Sequence, residues 1–269
     1  MKRTLLILYF QTLVMLSLHS ASAQSGQTVI DLRYEIQWGN MNIAHADARW
    51  VLQPETYSMT GNARTVGATD LLYKYRGKSH LLGQRQQNQP VSKSLKISSQ
   101  SRKRQISAEV VWNGAGDMVS TERSPALDLE KVHPVNAGSI EGSIDPLTAM
   151  LRALQMVAET RRCGGSYKIY DGLRTATVSL HPLGRQTLVA DRPGAFQGES
   201  LKCGVTSRPT GGHRRNARWR KKQQDEDDIV VFIAEVGPQL LMPVRIEVKT
   251  MLGKITARLA MPSLEISRS

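Results

Sequence analysis

The sequence "TVIDLRYEIQWGNMNIAHADARWVL", residues 28–52, sets a pattern that recurs along most of the chain. From Ile30 to Trp38 every second residue is apolar, and the residues between them are charged or amide side chains. This period of two predicts a half-buried β-strand. Gly39 and Asn40 form a two-residue turn signal, and the alternation then resumes. We therefore predict a β-hairpin here.

Further strands of this kind are predicted on both sides of the middle of the chain, separated by Gly, Pro and Asn signals. Before residue 140 they cover 55–64, 70–77, 78–84, 91–99 and 104–112, with Gly77 as the turn signal between the second and the third. Later strands are predicted at 166–170, 173–180, 186–191, 199–206, 229–236, 244–250 and 254–261. Asp171-Gly172 is typical of a type I′ turn between two of them.

One segment has a helical pattern instead. Asp145 is a natural N-cap, and Pro146 falls at the first helical position, where its missing N–H costs nothing. Arg161 and Arg162 would occupy the last turn, and the glycines at 164–165 would end the helix. The apolar face at helical spacing is expected either to pack on a sheet or to line a cleft. Its residues are Leu147, Met150, Leu151, Leu154 and Val157.

The predicted fold is mainly β. Many short antiparallel strands and one main helix, at about 145–162, predict one large antiparallel sheet with strong curvature, barrel-like or spiral, packed around that helix.

The N-terminus resembles an export signal. Lys2 and Arg3 precede an apolar run at 5–18, and Ala21-Ser22-Ala23 fits the small-x-small rule for cleavage. We expect cleavage after Ala23, which leaves residues 24–269 as a single β-rich periplasmic domain. The apolar run is shorter than the ~20 residues of a spanning helix, so we expect a protein that does not span the membrane.

The chain is basic, with a formal net charge of +13. Basic residues concentrate in a charged loop predicted at about 208–228, where acidic residues follow at 225–228. Two interpretations stay open: an anion-binding finger, or a solvated loop whose charges partly neutralise each other. In an exported protein the positive charge suits lipid headgroups or acidic glycans better than nucleic acid. The possible anion contacts are Arg214, Arg215, Arg218, Arg220, Lys221 and Lys222.

The chain has two cysteines, Cys163 and Cys203. In an oxidising compartment two cysteines without a third are expected to form a disulfide. A nucleophilic role for Cys163 would instead require a thiolate of low pKa beside a histidine. A metal site would require clustered ligands, and the histidines are scattered. We expect no metal and no cofactor.

The familiar catalytic spacings, such as G-x-S-x-G and H-E-x-x-H, do not occur in the sequence. The first hypothesis is therefore a monomeric, non-enzymatic periplasmic factor of the cell envelope. It would bind a lipid or acyl chain, or an envelope protein partner, in a concave β-sheet cleft. The alternative is an enzyme that acts on cell-wall or surface polysaccharide through carboxylates such as Asp145, Asp171 or Asp191. A third possibility is a scaffold in an envelope complex.

Several segments, in order along nearly the whole chain, resemble a bacterial exported family known as domain of unknown function 3108. They are "VGATDLLYKYRGKS" (66–79), "DPLTAMLRAL" (145–154), "CGGSYKIYDGLR" (163–174), "GESLKCGV" (198–205) and "LLMPVRIEVKTMLGKITARL" (240–259). The resemblance implies an exported β-rich fold and supplies no activity and no catalytic residue. The charged loop departs from the family pattern. A looser architectural likeness links the chain to periplasmic curved-sheet proteins such as lipoprotein carriers, and fold alone does not give function.

Overall fold

The computed structural model describes residues 26–215 and 228–269, which form one antiparallel sheet of 14 strands and a central helix. The predicted export signal and residues 216–227 of the predicted charged loop lie outside the described residues. The strands are β1 (Thr28–Trp38), β2 (Met41–Leu52), β3 (Thr56–Thr65), β4 (Tyr75–Gln86), β5 (Gln89–Ser101), β6 (Arg104–Trp112), β7 (Met118–Ser124), β8 (Ser166–Tyr170), β9 (Thr175–Leu188), β10 (Gly198–Gly211), β11 (Ile229–Gly237), β12 (Leu240–Thr250), β13 (Gly253–Leu259) and β14 (Glu265–Arg268). The helices are α1 (Gly67–Leu72), α2 (Ala137–Ile140) and α3 (Pro146–Thr160).

The strand order places the two halves of the chain side by side. The order is β7-β6-β5-β4-β3-β2-β1-β13-β12-β11-β10-β9-β8, and β14 pairs with the first residues of β1. Tyr34 of β1 lies opposite Leu259 of β13, so strands from the two ends of the chain meet at the centre of the sheet. The prediction of one large antiparallel sheet around one main helix is confirmed.

The sheet curves until its two edge strands, β7 and β8, approach each other, and the described strands do not close it by backbone pairing. The hydroxyls of Tyr170 on β8 and Thr121 on β7 are 3.1 Å apart. Between the edges lies the short segment before α3. Its Ile144 N–H donates to the Lys168 carbonyl at 3.0 Å. Together these contacts form a seam along one side of the molecule.

Helix α3 lies on the concave face of the sheet because its first turn is held by buried polar contacts. The Asp145 carboxylate is fully buried and accepts hydrogen bonds from the backbone N–H groups of Leu147 and Thr148, both at 2.9 Å. Its second oxygen accepts from Ser92 of β5 at 2.5 Å. The Thr148 hydroxyl lies 2.8 Å from the Tyr57 hydroxyl of β3. The predicted N-cap and first-turn proline are therefore confirmed.

The end of α3 differs from the prediction. The helix stops at Thr160, and Arg161 adopts a left-handed conformation with φ +56°, so Arg161 and Arg162 follow the last turn instead of occupying it. The physical reason is that the Arg161 N–H already closes the helix by donating to the Val157 carbonyl at 2.8 Å.

The strand predicted at 70–77 is wrong in its first half. Residues 67–72 form α1, and β4 begins only at Tyr75 and runs through Gly77, which was expected to be a turn. Asp70 stabilises the non-extended path by pairing with Arg76 at 2.6 Å. Gly77 lies within the strand against the Tyr75 ring, and an added Cβ would lie 2.8 Å from the Tyr75 hydroxyl.

Three other predictions about the strands were wrong. The strands predicted at 173–180 and 186–191 form one strand, β9, because a register shift opposite Pro182 accommodates the proline. The Asp171-Gly172 turn is a four-residue loop, in which the Asp171 carboxylate accepts from the N–H groups of Leu173 and Arg174. Residues 208–211 of the predicted charged loop belong to β10. In addition, α1, α2, β7 and β14 were not predicted.

Within the described ranges, no helix combines the length and the apolar character required to cross a membrane.

Candidate functional site

Helix α3 separates two depressions on the concave side of the sheet, and its predicted apolar residues are divided between them. Met150 and Leu154 line an apolar groove, and Leu151 lines a wider pocket together with Leu154. Val157 is fully buried in the core, and Leu147 is partly buried against it. The predicted apolar face of α3 therefore contributes side chains to the core and to both depressions.

The apolar groove has a volume of about 240 Å³ and lies between α3 and strands β8 to β12. Its lining side chains carry no charge, and the one polar atom among them is the Tyr167 hydroxyl. Burial raises the pKa of Tyr167, which keeps this hydroxyl protonated and neutral. The sheet side of the groove is formed by half-buried side chains: Ile169, Val178, Leu180, Val205, Val231 and Ile246.

Two contacts attach α3 and the residues after it to the sheet beside the groove. The Arg152 guanidinium donates to the Pro90 carbonyl at 2.6 Å, which ties the helix to the β5 side of the sheet. Beyond the helix, the structure joins Cys163 to Cys203 of β10 in a disulfide. The disulfide agrees with the expectation from the sequence, and it leaves neither cysteine as a thiolate nucleophile or a metal ligand.

The wider pocket, about 660 Å³, lies beside the C-terminal half of α3 and near the β11–β12 turn. It combines apolar side chains such as Trp50 and Leu240 with charged side chains. Among the latter, Arg161 and Glu235 approach each other to 4.0 Å. Because Leu154 lines both depressions, the polar pocket adjoins the apolar groove.

A second wide groove, also about 660 Å³, lies on the strands β2 to β6 and is lined by small residues and by Tyr73 and Tyr75. Arg214, one of the predicted anion contacts, lies at this groove with Arg104 and Arg174. None of these three exposed arginines forms an ion pair with a described acidic residue.

The other predicted anion contacts are not part of this groove as described. The Arg215 guanidinium donates to the Leu129 carbonyl at 3.3 Å. Arg218, Arg220, Lys221 and Lys222 lie outside the described residues.

Each of the three candidate catalytic carboxylates forms its own local contacts. Asp145 caps α3 from a fully buried position, and Asp171 orders the β8–β9 loop. Asp191 accepts from Arg258 at 2.6 Å and pairs with Arg245 at 3.1 Å. The hydrogen bond from Arg258 holds the pKa of Asp191 below its usual range. Each carboxylate therefore has a different set of partners.

Among the described residues, no group of three or more His, Cys, Asp and Glu side chains is arranged to hold a metal ion. The rings of His133 and His213 contact each other in a tilted arrangement, with their centroids 4.4 Å apart. These histidines are 80 residues apart in sequence, so spacing could not have predicted their contact.

Sequence reasoning found the helical wall of the groove and missed the sheet wall. The alternation of Val178 with Leu180 places them on one face of β9, which was a usable signal. Val205 and Val231 lie on the consecutive strands β10 and β11, and the sequence pattern does not reveal how α3 packs across them.

The fold and the groove together define a class: a curved antiparallel sheet, not closed into a barrel by its described strands, with a helix inside and an apolar depression beside the helix. The chain belongs to the family described as Protein of unknown function (DUF3108), whose model matches residues 33–260. The resemblance noted from the sequence motifs is thereby confirmed.

A solved structure also resembles this fold. It is the crystal structure of a beta-barrel-like protein of domain of unknown function DUF1849 from Brucella abortus. The TM-score is 0.45 at 8% sequence identity, over 90% of this chain and 98% of the other. No curated protein is significantly similar to the chain.

Proposed function

We propose that this protein is a non-enzymatic periplasmic factor of the cell envelope that holds one acyl chain in the apolar groove. The observation that carries the proposal is the uncharged groove of about 240 Å³ between α3 and strands β8 to β12. This volume exceeds the ~150 Å³ of a cavity that binds benzene. It is smaller than the ~300 Å³ at which pockets for drug-sized ligands begin. The groove therefore suits a segment of an apolar chain better than a whole lipid.

The chemistry of the lining favours an apolar ligand over a sugar. A polysaccharide site needs several hydrogen-bonding side chains that converge on the ligand. Only the Tyr167 hydroxyl is available in the groove. Half-buried side chains such as Val178 and Val205 lose their remaining contact with water when a chain covers them, and this burial favours binding by about 25 cal/mol per Å² of apolar surface.

The wider pocket supplies polar groups next to the groove. Leu154 borders both depressions, so a ligand with its apolar chain in the groove and its polar end carried round the helix would meet Arg161 and Glu235. A fatty acid, a phospholipid and a lipidated protein segment all share this combination of an apolar chain and a polar end. The acyl chain is therefore the part of the ligand that the groove would recognise.

Two further observations support an envelope role. The disulfide is typical of an oxidising compartment such as the periplasm. The first 23 residues have the pattern of an export signal. Each of the three candidate carboxylates already forms a structural hydrogen bond or ion pair. This favours a binding protein over an enzyme that uses Asp145, Asp171 and Asp191.

The test begins with protein purified from its native periplasm. Organic extraction and mass spectrometry of the extract should find an acyl compound in stoichiometric amount, and the mass distinguishes a free lipid from a lipopeptide. Delipidated protein should then bind a fluorescent fatty acid. The variant Val205→Phe fills the groove, and we expect it to weaken this binding at least about tenfold, since the chain loses its buried surface.

Val119→Phe is the matched control, because Val119 is exposed on β7 and does not line the groove. It should bind the probe like the parent protein. If no lipid co-purifies and delipidated protein gives no response to the probe, the proposed function is wrong. Equal binding by Val205→Phe and the parent would remove the groove as the site.

A further inference from the structure

Exposed hydrophobic side chains concentrate at one end of the sheet, where the β1–β2, β3–β4, β5–β6 and β12–β13 connections lie together. The register requires this arrangement, because Trp38 at the end of β1 pairs with Met41 of β2 and with Ile255 of β13. We call these side chains the apolar tip. They are Trp38, Met41, Leu71, Leu72, Tyr73, Met251 and Leu252.

All members of the apolar tip are exposed, and those on α1 and in the β12–β13 turn are the most exposed. Leu71 is 74% exposed, Leu72 is 80% exposed and Leu252 is 76% exposed. The members of the tip lie at the ends of β1 and β2, on α1 and in the connections at this end of the sheet. Monomeric proteins rarely leave such clusters in water without a use, since the contact with water is unfavourable.

Hydrogen bonds fix the connections of the apolar tip relative to one another. The Trp38 indole donates to the Leu252 carbonyl at 2.8 Å, which joins the β1–β2 and β12–β13 turns. The Arg102 guanidinium donates to the Leu71 carbonyl, which joins the β5–β6 turn to α1. Each of the four connections is therefore held to one of the others.

The side chains beside the apolar tip are mostly basic. Arg102, Lys103 and Lys249 are exposed and form no ion pair with a described acidic residue. Two of the acidic groups here are already engaged: Asp70 pairs with Arg76 at 2.6 Å, and Glu247 pairs with Lys254 at 3.1 Å. The hydrogen bond from Arg76 holds the pKa of Asp70 far below its usual range, so this pair stays charged.

We infer that this end of the protein docks on an anionic membrane surface, with the apolar tip inserted among the headgroups and the basic residues against lipid phosphates. Protruding Trp, Leu and Met side chains ringed by Lys and Arg are the combination that binds the interface of an anionic bilayer. A second copy of this chain is a poorer occupant, because a two-fold contact would bring Lys103 and Lys249 against residues of the same sign. The surface is separate from the apolar groove, so the inference does not depend on the proposed function.

The test is co-sedimentation of the chain from Gln24 onward, which contains every described residue and lacks the apolar N-terminal run. It is mixed with vesicles of phosphatidylcholine alone, or of phosphatidylcholine with phosphatidylglycerol. We expect clear binding to the anionic vesicles, weaker binding to the neutral ones, and loss of binding as salt is raised.

Two variants separate the parts of the surface. Leu71→Ser/Leu72→Ser should reduce binding about tenfold or more, because the buried apolar surface is lost. Lys103→Glu/Lys249→Glu should reduce it at least about tenfold on anionic vesicles only, since about fivefold is expected for each basic residue. Leu82→Ser/Val119→Ser is the matched control, because it removes exposed apolar side chains away from the apolar tip.

The control variant should bind like the parent, and circular dichroism should confirm that every variant is folded. Parent protein that stays in the supernatant with both vesicle types overturns the inference, as does full binding by Leu71→Ser/Leu72→Ser. A parent dimer in size-exclusion chromatography that this variant converts to a monomer would also overturn it, since the apolar tip would then be a contact between copies.

Discussion

The ionisation of Asp191 should make the stability of the folded protein depend on pH. Its carboxylate accepts hydrogen bonds from Arg258 and pairs with Arg245 on the neighbouring strand. The hydrogen bond from Arg258 lowers its pKa in the folded protein below the ordinary value of about 3.9. A lowered pKa means that the ionised group stabilises the fold at pH values above its unfolded pKa. This stabilisation is lost as pH falls through the folded pKa.

We therefore expect Asp191→Asn to be less stable than the parent at neutral pH and to lose less further stability between about pH 5 and pH 3. Denaturant midpoints measured across this range provide the check. Glu130→Gln, at an exposed position that forms no ion pair with a described residue, should keep the acid dependence of the parent. Parallel pH curves for Asp191→Asn and the parent would contradict the role given to the Arg258 contact.

Single residues also mark where sequence reasoning succeeded or failed. Asp145 and Pro146 predicted the start of α3 because capping is a local interaction. Gly77 was misread as a turn because its role depends on the ring of Tyr75, which folds back over it. Contacts of this kind form only in the folded chain, and the sequence pattern does not predict them.

At the scale of elements, the disulfide connects the end of α3 to β10. Cys163 and Cys203 are 40 positions apart, and the enclosed segment contains β8 and β9. For a loop of this length the chain-entropy model gives about 4 kcal/mol of stabilisation. Helix α3 has few other ties at its C-terminal end, so this bond also keeps one wall of the groove in place.

Cys163→Ser/Cys203→Ser should accordingly unfold at lower temperature, with a free energy of unfolding reduced by about 2–4 kcal/mol. Calorimetry of the variant and of the parent in reductant should give the same shift, because both lack the bond. Mass spectrometry without reductant should detect no free thiol in the parent. Stoichiometric alkylation of Cys163 under these conditions would show that the bond is not formed.

The elements themselves were largely predictable, and their limits were less so. The hairpin of β1 and β2 follows from alternation and a two-residue turn, and both are encoded locally. Helix α1 was missed because six residues are too few to show a helical period. Strand β7 was missed because its residues are mostly polar and lie at an edge.

At the scale of the whole molecule, Gly172 brings the two ends of the sheet together. It has φ +82°, and an added Cβ would lie 2.6 Å from the Ala108 Cβ and 3.0 Å from a Val110 methyl group on β6. The β8–β9 loop therefore packs against a strand from the opposite half of the chain. Only glycine fits both the backbone conformation and this close approach.

Gly172→Ala should reduce the free energy of unfolding by about 2 kcal/mol or more, from backbone strain and from the contact with β6. Gly184→Ala is the matched control, because Gly184 has φ +102° with open space around it and suffers the strain alone. Urea unfolding of both variants gives the difference that belongs to the contact. Equal losses would mean that the loop does not press on β6.

The overall arrangement was predictable as a class and not in detail. Antiparallel strands and one helix predict a curved sheet, but the pairing of β1 with β13 joins residues more than 200 positions apart. The sheet wall of the groove lies on β8 to β12, which pair in chain order, and its formation depends on how α3 packs across these strands. The helical wall, with Met150 and Leu154, was visible in the sequence because helical spacing is local.

The seam between β7 and β8 has a mechanical consequence. Elsewhere, neighbouring strands are joined by runs of backbone hydrogen bonds, as between β9 and β10. At the seam, the described contacts are fewer: side-chain ones, such as Tyr170 with Thr121 and the Trp112 indole with the Ser143 carbonyl, and a short backbone bridge between Ile144 and β8. The seam should open before the paired strands separate, because fewer hydrogen bonds oppose its opening. We therefore expect opening motions that widen the interior of the molecule to begin along the seam.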